Sequence, residues 1–384
     1  MKMIFRCYFV LFAICFGGGV LSARKKIKTK ILTYNAGLTE TDVPHYQVRR
    51  EEFLRKLTNN EIPGHVVCLQ EIWKADDVAA IVQATNTTFP YTFSAIHAAD
   101  GTLAQPPSVP ACEPSKINPM LQCIQTNCLN SQMPLLACVV MACRSEVSAV
   151  PQQCLDCLAA GMTYRASSNT TAAVIMGRVQ VCLSTPWQTT YGLLILSKMP
   201  LDSEVVDYHP DTSLFIPRAY LHSKIGSCHF FCTHLTGELS DAAYLDVGPF
   251  RTVNKQNLYQ IGTLLKAANR FLPRVVLAGD FNVGKAVHDD SVSSMLLNSY
   301  KLLTQNFETR YVNCTYCGTN QLANSPNYSF AIDHVFVPIS DNPNTTFFTI
   351  ESASIELDAK VPDQDYCMSD HFAYLMTVEV RYTG

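Results

Sequence analysis

With 384 residues, 48% of them hydrophobic, the chain is long enough for one large domain or two ordinary ones. Only 16% of residues are charged, the formal net charge is -3 and the pI is near 6.4, which argues against a generally basic, nucleic-acid-binding surface while leaving room for a local basic groove. At the N-terminus, Lys2 and Arg6 precede an apolar run from Cys7 to Phe16 that continues through three glycines to Val20 and Leu21, with small residues at Ser22 and Ala23. Residues 1–23 therefore read as a cleaved signal peptide, with an apolar stretch shorter than the ~20 residues of a membrane span. No later segment is long and apolar enough to span a bilayer, so the expectation is a soluble, secreted, extracellular protein. Five Asn-X-Ser/Thr sequons, at Asn86, Asn169, Asn313, Asn327 and Asn344, agree with that compartment. So do the cysteines: two of the 16 lie in the leader, and the even 14 that remain are expected to be mostly disulfides.

In chain order, Lys30–Tyr34 is a strand ending at Asn35, and Tyr46–Asn59 has helical spacing with Phe53, Leu54 and Leu57 on one face. His65–Gln70 is a continuous apolar strand, as expected for burial on both faces, and Asp76–Ala84 is a helix. The segment 98–186 differs. Pro106, Pro107, Pro110 and Pro114 mark a linker, and eight cysteines follow from Cys112 to Cys182. Cys123-x4-Cys128 and Cys138-x4-Cys143 are symmetric about a loop containing Pro134. Antiparallel helices crosslinked 123 to 143 and 128 to 138 satisfy that symmetry, although sequence leaves other pairings open. This segment reads as an inserted, disulfide-stapled helical subdomain. It is either a structural decoration or, given the apolar run Met133–Ala142, a lid or membrane-contacting element. Cys154-x-x-Cys157 and Cys314-x-x-Cys317 resemble half-sites for zinc, but their separation and an oxidising compartment favour disulfides. Further strands are expected at Leu193–Leu196, His229–Thr233, Val275–Ala278, Ile332–Val337 and Ala373–Val380, with a helix at Leu258–Phe271. The mixture predicts an α/β fold of packed sheets with flanking helices.

Five short motifs place polar residues at the ends of apolar strands, and a sixth, with Asp333, places one at the start of a strand. They are TYNAG with Asn35, CLQEIW with Glu71, CTHLTGE with His234, LAGDFNV with Asp280 and Asn282, FAIDHVFV with Asp333, and MSDHF with Asp370 and His371. Carboxylate and amide oxygens are hard ligands that suit Mg²⁺ and do not suit zinc. A carboxylate such as Glu71, following an apolar strand, is costly to bury unless a cation meets it. Two histidines beside such an ion fit phosphodiester cleavage, in which charge gathers on the phosphoryl oxygens as water attacks in line. One histidine takes the proton from water while a carboxylate holds its ring, and Asp333 with His371 fits that pair. His234 would donate a hydrogen bond to a phosphoryl oxygen or protonate the leaving group. Asp280 and Asn282, at i and i+2 of an extended segment, would point to one side and hold water and phosphate together. Taken singly, Asp280 and Asn35 are ordinary turn residues, His371 a capping partner of Asp370, and His234 a core histidine. The ordered set is much harder to explain that way. Arg218, in FIPRAYL before a strand, is a weaker candidate for contact with the substrate phosphate. His45, His65, His209, His222 and His334 read as structural or surface groups.

In that order the motifs resemble the endonuclease/exonuclease/phosphatase superfamily, which includes deoxyribonuclease I, abasic-site endonucleases, inositol polyphosphate 5-phosphatases and neutral sphingomyelinases. The resemblance runs from about residue 30 to 380, interrupted by the insert. It implies a four-layered α/β sandwich of DNase I-like type over 24–384. It also implies Mg²⁺ at Glu71 and Asn35 with Asp370 in support, His371 as general base with Asp333, and Asp280, Asn282 and His234 around the phosphate. Local details look more like sphingomyelinases than nucleases. Gln70-Glu71-Ile72-Trp73 resembles their QE-V-W pattern. Tyr191 to Pro200 resembles their G-L-x-x-x-S-K/R-x-P strand, and Arg251 with the helix after it also fits. Thr233-His234-Leu235 with Glu238 resembles their THLxAE motif, with Gly237 where alanine is usual. The expected substrate is therefore sphingomyelin or a related phospholipid, met at a membrane surface and cleaved to a ceramide-type product and phosphocholine. Nucleic acid is the less favoured partner and no stable protein partner is expected. The rival expectations are a secreted DNase I-like endonuclease and an inactive binding protein of the same fold.

Overall fold

The structure is a computed structural model and describes residues 25–39, 43–129, 131, 135–159, 172–208, 218–237, 250, 252–286, 291–323, 327–340 and 347–382. The leader, the sequons at Asn169 and Asn344, and Met133, Pro134, His209, Glu238 and Arg251 lie outside the described residues.

In chain order the elements are β1 (Lys25–Leu38), α1 (Tyr46–Thr58), β2 (Val66–Ile72), α2 (Ala75–Thr85), β3 (Tyr91–Ser94), α3 (Pro114–Asn127), α4 (Leu135–Ala142), α5 (Arg144–Ser148), α6 (Gln152–Ala159) and α7 (Ala172–Ser184). They continue with β4 (Leu194–Ser197), β5 (Asp202–Asp207), β6 (Ala219–Ile225), β7 (Cys228–His234), α8 (Val253–Ala268), β8 (Val275–Asp280), α9 (Leu297–Leu303), β9 (Phe307–Glu308), β10 (Asp333–Pro338), β11 (Phe348–Glu356) and β12 (Ala373–Tyr382). The strands form two six-stranded sheets, ordered β11-β12-β1-β2-β4-β3 and β5-β6-β7-β8-β10-β9.

Alternation along each strand builds the layers, because successive side chains point to opposite faces. On β1, Ile31 joins Cys68, Ile195, Val276, Val335 and Met376 between the sheets, while Leu32 and Tyr34 turn outward against Phe53 and Leu57 of α1 and Val78 and Ile81 of α2. On β8, Val276 and Ala278 point inward, and Val275 and Leu277 meet Ile261, Leu264 and Leu303 of α8 and α9. Helix, sheet, sheet and helix make the expected four-layered sandwich.

Each sheet carries one parallel pair, β1 with β2 and β7 with β8, and the other pairings are antiparallel. The helices α1 and α8 are the crossovers these pairs require. The carboxyl ends of the four strands therefore lie at one edge of the sandwich, where α/β proteins characteristically bind ligands.

Between β3 and β4 the five helices α3 to α7 pack around their own core of Ile117, Met120, Val139, Val147, Leu155 and Val179. Cys112–Cys154, Cys123–Cys143 and Cys128–Cys138 are nested disulfides, and Cys157–Cys182 ties down the last helix. The two symmetric crosslinks are those the spacing suggested. Pro114, read as linker, opens α3 at its first turn, where a missing N–H costs nothing. Cys314 and Cys317 pair with each other, whereas Cys154 and Cys157 each take a more distant partner. The expectation that most of the 14 pair is met: 12 form disulfides, and Cys228 and Cys367 are free.

His334 is buried, and its Nε2 donates to the Val283 carbonyl at 2.8 Å. Burial holds its pKa below the usual 6.5, so the unfolded chain binds the proton more readily. Its contribution to stability is then complete above pH ~6.5 and is lost as pH falls toward the lower folded value. Urea midpoints at pH 7.5 and 5.5 should differ more for the wild type than for His334→Gln. Equal differences would show that His334 is not the group concerned.

Candidate active site

Asn35 ends the regular part of β1 and Glu71 lies near the end of β2, with Asn35 opposite Gln70 in the parallel register. His234 and Asp280 end β7 and β8 and stand in register, and Asp333, first residue of β10, is opposite Asp280. His371 precedes β12, whose Tyr374 pairs with Thr33 of β1. Pairing alone therefore gathers residues spread over the chain at one edge. Asn35, His234, Asp280, Asp333 and His371 are all buried, while Glu71, Asn282 and Asp370 are half-buried.

Asp280 is the hub. Its Oδ2 accepts from Asn35 Nδ2 at 3.0 Å, lies 3.4 Å from His234 Nε2 and 3.9 Å from His371 Nε2. The same Asn35 Nδ2 donates to Glu71 Oε1 at 3.0 Å, so one amide ties the two carboxylates together. His371 Nδ1 meets Asp333 Oδ2 at 2.9 Å, which leaves Nε2 facing the cluster. Thr315 Oγ1 accepts the N–H groups of Ile332 and Asp333, each at 3.1 Å, and sets Asp333 in place.

One sequence expectation changes. β8 ends at Asp280, and Asn282 is not on an extended segment: it has a left-handed φ of 53°, and its N–H donates to Asp280 Oδ1 at 2.9 Å. The side chain is still fixed, because Nδ2 donates to the Leu235 carbonyl at 2.9 Å. Asparagine tolerates this backbone region, which a short polar side chain can support. Glu71, at φ 60°, tolerates it poorly, and such strain of ~1–3 kcal/mol concentrates at functional sites.

Gly237 accounts for its own departure from the sphingomyelinase pattern. A Cβ there would lie 2.1 Å from Asn282 Oδ1. Gly237→Ala should displace that side chain and lower activity by ~10²-fold, the scale of an ångström's misplacement. Activity within twofold of wild type would mean that Asn282 does not need its present position.

The electrostatics separate the two histidines. Burial, reinforced by the charges of Arg218 and His371, pushes His234 well below the ordinary imidazole range. Burial also opposes charge on His371, but the Asp333 carboxylate, with Asp280 and Asp370 beyond, holds it well above that range. Burial and then Asp370 push Glu71 upward, and burial and then Asp333 do the same to Asp280. Arg218, buried just before β6, thus acts on the cluster through its charge.

The carboxylate side is short of positive charge, and its donors are hard oxygens, so it fits a divalent cation. Glu71 and Asp370 would supply carboxylate oxygens. Asn35 Oδ1 accepts from Gly37 N–H at 3.1 Å and keeps a second lone pair. Asp280, Asp333 and His371 also offer ligand atoms within 4.8 Å of one another. In that group, however, the Asp333–His371 hydrogen bond already uses one atom of each partner.

Several supporting residues escaped the sequence. Asn257 and Gln260 of α8 bind the loop after His234: Asn257 Nδ2 donates to the Thr236 carbonyl at 2.8 Å, and Gln260 Oε1 accepts Thr236 N–H at 2.9 Å. Ser369 Oγ donates to the Asn35 carbonyl at 2.8 Å and accepts His371 N–H at 3.2 Å. Polar residues on the apolar stripe of a helix were the available signal for the first two.

A two-sheet sandwich with an Asp-held histidine and a carboxylate–amide cluster at the carboxyl ends of its parallel strands defines a DNase I-like phosphoester hydrolase. The model of the Endonuclease/Exonuclease/phosphatase family matches residues 32–371, and the chain belongs to that family, whose members are metal-dependent phosphoesterases. No curated protein sequence matches the chain. Similar solved structures include TDP2 from D. rerio complexed with single strand DNA product, at 12% identity over 91% of this chain and 98% of that one, with a TM-score of 0.49. They also include sphingomyelinase C from Streptomyces griseocarneus, at 15% identity over 91% and 99%, TM-score 0.47. A third is a Staphylococcus aureus beta toxin mutant with bound magnesium ions, at 13% identity over 91% and 99%, TM-score 0.48.

Proposed function

We propose that this chain is a secreted, Mg²⁺-dependent phosphodiesterase that hydrolyses sphingomyelin or a related choline phospholipid, releasing phosphocholine. The observation that carries the hydrolytic part is the contact of His371 with Asp333 on one nitrogen while the other faces Asp280 and His234. In its neutral form His371 takes the proton from the attacking water at Nε2, and Asp333 fixes the ring and stabilises the imidazolium that forms; a cation held beside Asp370 would offset the carboxylate charge that otherwise keeps the ring protonated. His234 is kept neutral by burial and by Arg218, so it donates a hydrogen bond to a phosphoryl oxygen. A proton donor to the leaving group would need to carry charge, which this environment opposes. Asn282 and Asp280 orient water and phosphate. Glu71, Asn35 and Asp370 would hold the cation, which when bound neutralises charge on the phosphate.

The lipid assignment rests on the local motifs around Glu71, His234 and Tyr191–Pro200 and on the absence of an overall basic balance. Secretion is supported by the leader pattern, the six disulfides, and exposed sequons at Asn86, Asn313 and Asn327.

Phosphocholine release and plasmid nicking, measured side by side with Mg²⁺ and with EDTA, test the assignment. Release that EDTA abolishes is expected. Nicking without release would replace the lipid with a nucleic acid, and neither activity would point to a binding protein. Glu71→Gln should raise the Mg²⁺ concentration needed for half-maximal activity, and an unchanged titration would remove Glu71 from the ligand set.

A further inference from the structure

A row of three aromatic rings leads outward from the proposed base. Tyr316 stands between Cys314 and Cys317, whose disulfide closes the loop that carries it. Its ring meets the His371 ring edge-on, with centroids 5.1 Å apart. Tyr316 and Phe330 exchange backbone hydrogen bonds of 2.9 and 2.7 Å, so they are directly paired residues with side chains on one face. Their ring centroids are 6.5 Å apart. Tyr328, two residues before Phe330, shares that face, and its ring is nearly parallel to that of Phe330 at 15° and 6.3 Å. Exposure rises along the row, from 6% at His371 to 58% at Tyr328.

From Tyr311 to Ile332 the chain contains no Lys, Arg, Asp or Glu. The residues that this stretch brings beside His371 are therefore uncharged and aromatic. Lys285 lies 5.7 Å over the ring of Tyr311, where the stretch begins, but the stretch itself brings no cation to track a polyanion, which single-stranded nucleic acid requires in addition to stacking surfaces. Nor do the residues of this stretch offer a carboxylate to a primary ammonium. They do offer π faces, which attract a cation that is weakly hydrated and has no N–H to satisfy.

We propose that Tyr316, Phe330 and Tyr328 form the subsite for the trimethylammonium group of the substrate. This rests on the choline-phospholipid reading above and adds the residues that make the headgroup choice. The phosphate lies at the cluster, the short choline bridge runs past His371, and the ammonium sits against the rings. The row selects quaternary over primary ammonium because the latter gives up hydrogen bonds with water that the rings do not replace.

The full secreted protein is compared with Phe330→Leu and Tyr328→Leu, and with Phe330→Tyr and Tyr328→Phe, which keep the ring. Two quantities are read: binding of phosphocholine relative to inorganic phosphate, and the ratio of kcat/KM for sphingomyelin to that for ceramide phosphoethanolamine. Both ratios should exceed one in the wild type, fall roughly threefold to tenfold in each leucine variant, and recover in the ring-keeping variants. Phosphocholine bound no more tightly than phosphate by the wild type overturns the subsite, even if sphingomyelin is cleaved. If no lipid is cleaved, the function reading fails, and the binding ratio still decides the subsite. Oligothymidylate binding that falls in the leucine variants, with no preference for phosphocholine, overturns the proposal in favour of a base-stacking surface.

Discussion

Turnover of the His371→Ala variant is expected to fall by on the order of 10²–10⁴, the range for a lost general base. His371 is 6% exposed, and Asp333 holds its ring at 2.9 Å, so the side chain has one orientation and one free nitrogen. Alanine removes that nitrogen and relieves a buried Asp333 of its partner. Asp333 stays tied to Thr315 Oγ1 through its backbone, so the segment should keep its place. Circular dichroism and the urea midpoint report whether the fold survives, and hydrolysis of a phosphodiester substrate reports turnover. Asp333→Asn should produce a loss of the same kind, since an amide cannot stabilise the imidazolium. Near-normal turnover in His371→Ala with an intact fold would assign the base elsewhere.

Arg49→Met is expected to cost about 3–5 kcal/mol of stability, the scale for removing a buried charged group whose partners stay behind. Arg49 is fully buried and sits on the core face of α1 with Tyr46, Phe53 and Leu57. Its Nε donates to the Pro44 carbonyl at 2.7 Å, Nη1 to Ala36 and Met368 at 3.3 and 3.1 Å, and Nη2 to Gly37 and Val43 at 2.8 and 3.0 Å. Five donors meet five carbonyls, a complete use of the guanidinium. Methionine fills most of the volume but leaves buried carbonyls unpaired, each a desolvation loss of ~1–3 kcal/mol before relaxation. Lysine has three donors on a point charge and cannot span the same set. Those carbonyls flank Asn35 on one side and lie near Asp370 and His371 on the other, so activity should fall before the fold is lost. A urea midpoint and m-value equal to wild type would show that water or a shifted loop replaces the arginine.

Much of this was legible along the chain. The strands that carry Asn35, Glu71, His234 and Asp280 toward their carboxyl ends contain apolar runs closed by a polar residue, a pattern strong enough to mark both element and site. Helix α1 appeared within a residue of its ends, because its apolar stripe has a 3.6-residue period. Helix α8 begins earlier than its apolar stripe suggests, at a Thr252 cap that accepts Lys255 N–H. Strands β3, β5, β9 and β11 were missed. All four lie at sheet edges, where one side has no partner and residues such as those of Phe348–Glu356 alternate weakly. Their strand character comes from the neighbour they pair with, as expected when β propensity depends on context.

The chain by itself determined which groups were available for chemistry and the order in which strands deliver them, because both depend on residue type and local period. It also suggested the two symmetric crosslinks of the helical insert, whose partners are near in sequence, without closing off other pairings. Tertiary structure alone decided the rest. Cys68 and Cys232, 164 residues apart, join β2 to β7 between the sheets, just beneath Glu71 and His234. Nothing in their spacing could announce that pairing. The same holds for the left-handed turn at Asn282, the charge of Arg218 on His234, and the rings beside His371. Each arises where separate segments meet at short range, and local sequence carries no record of that meeting.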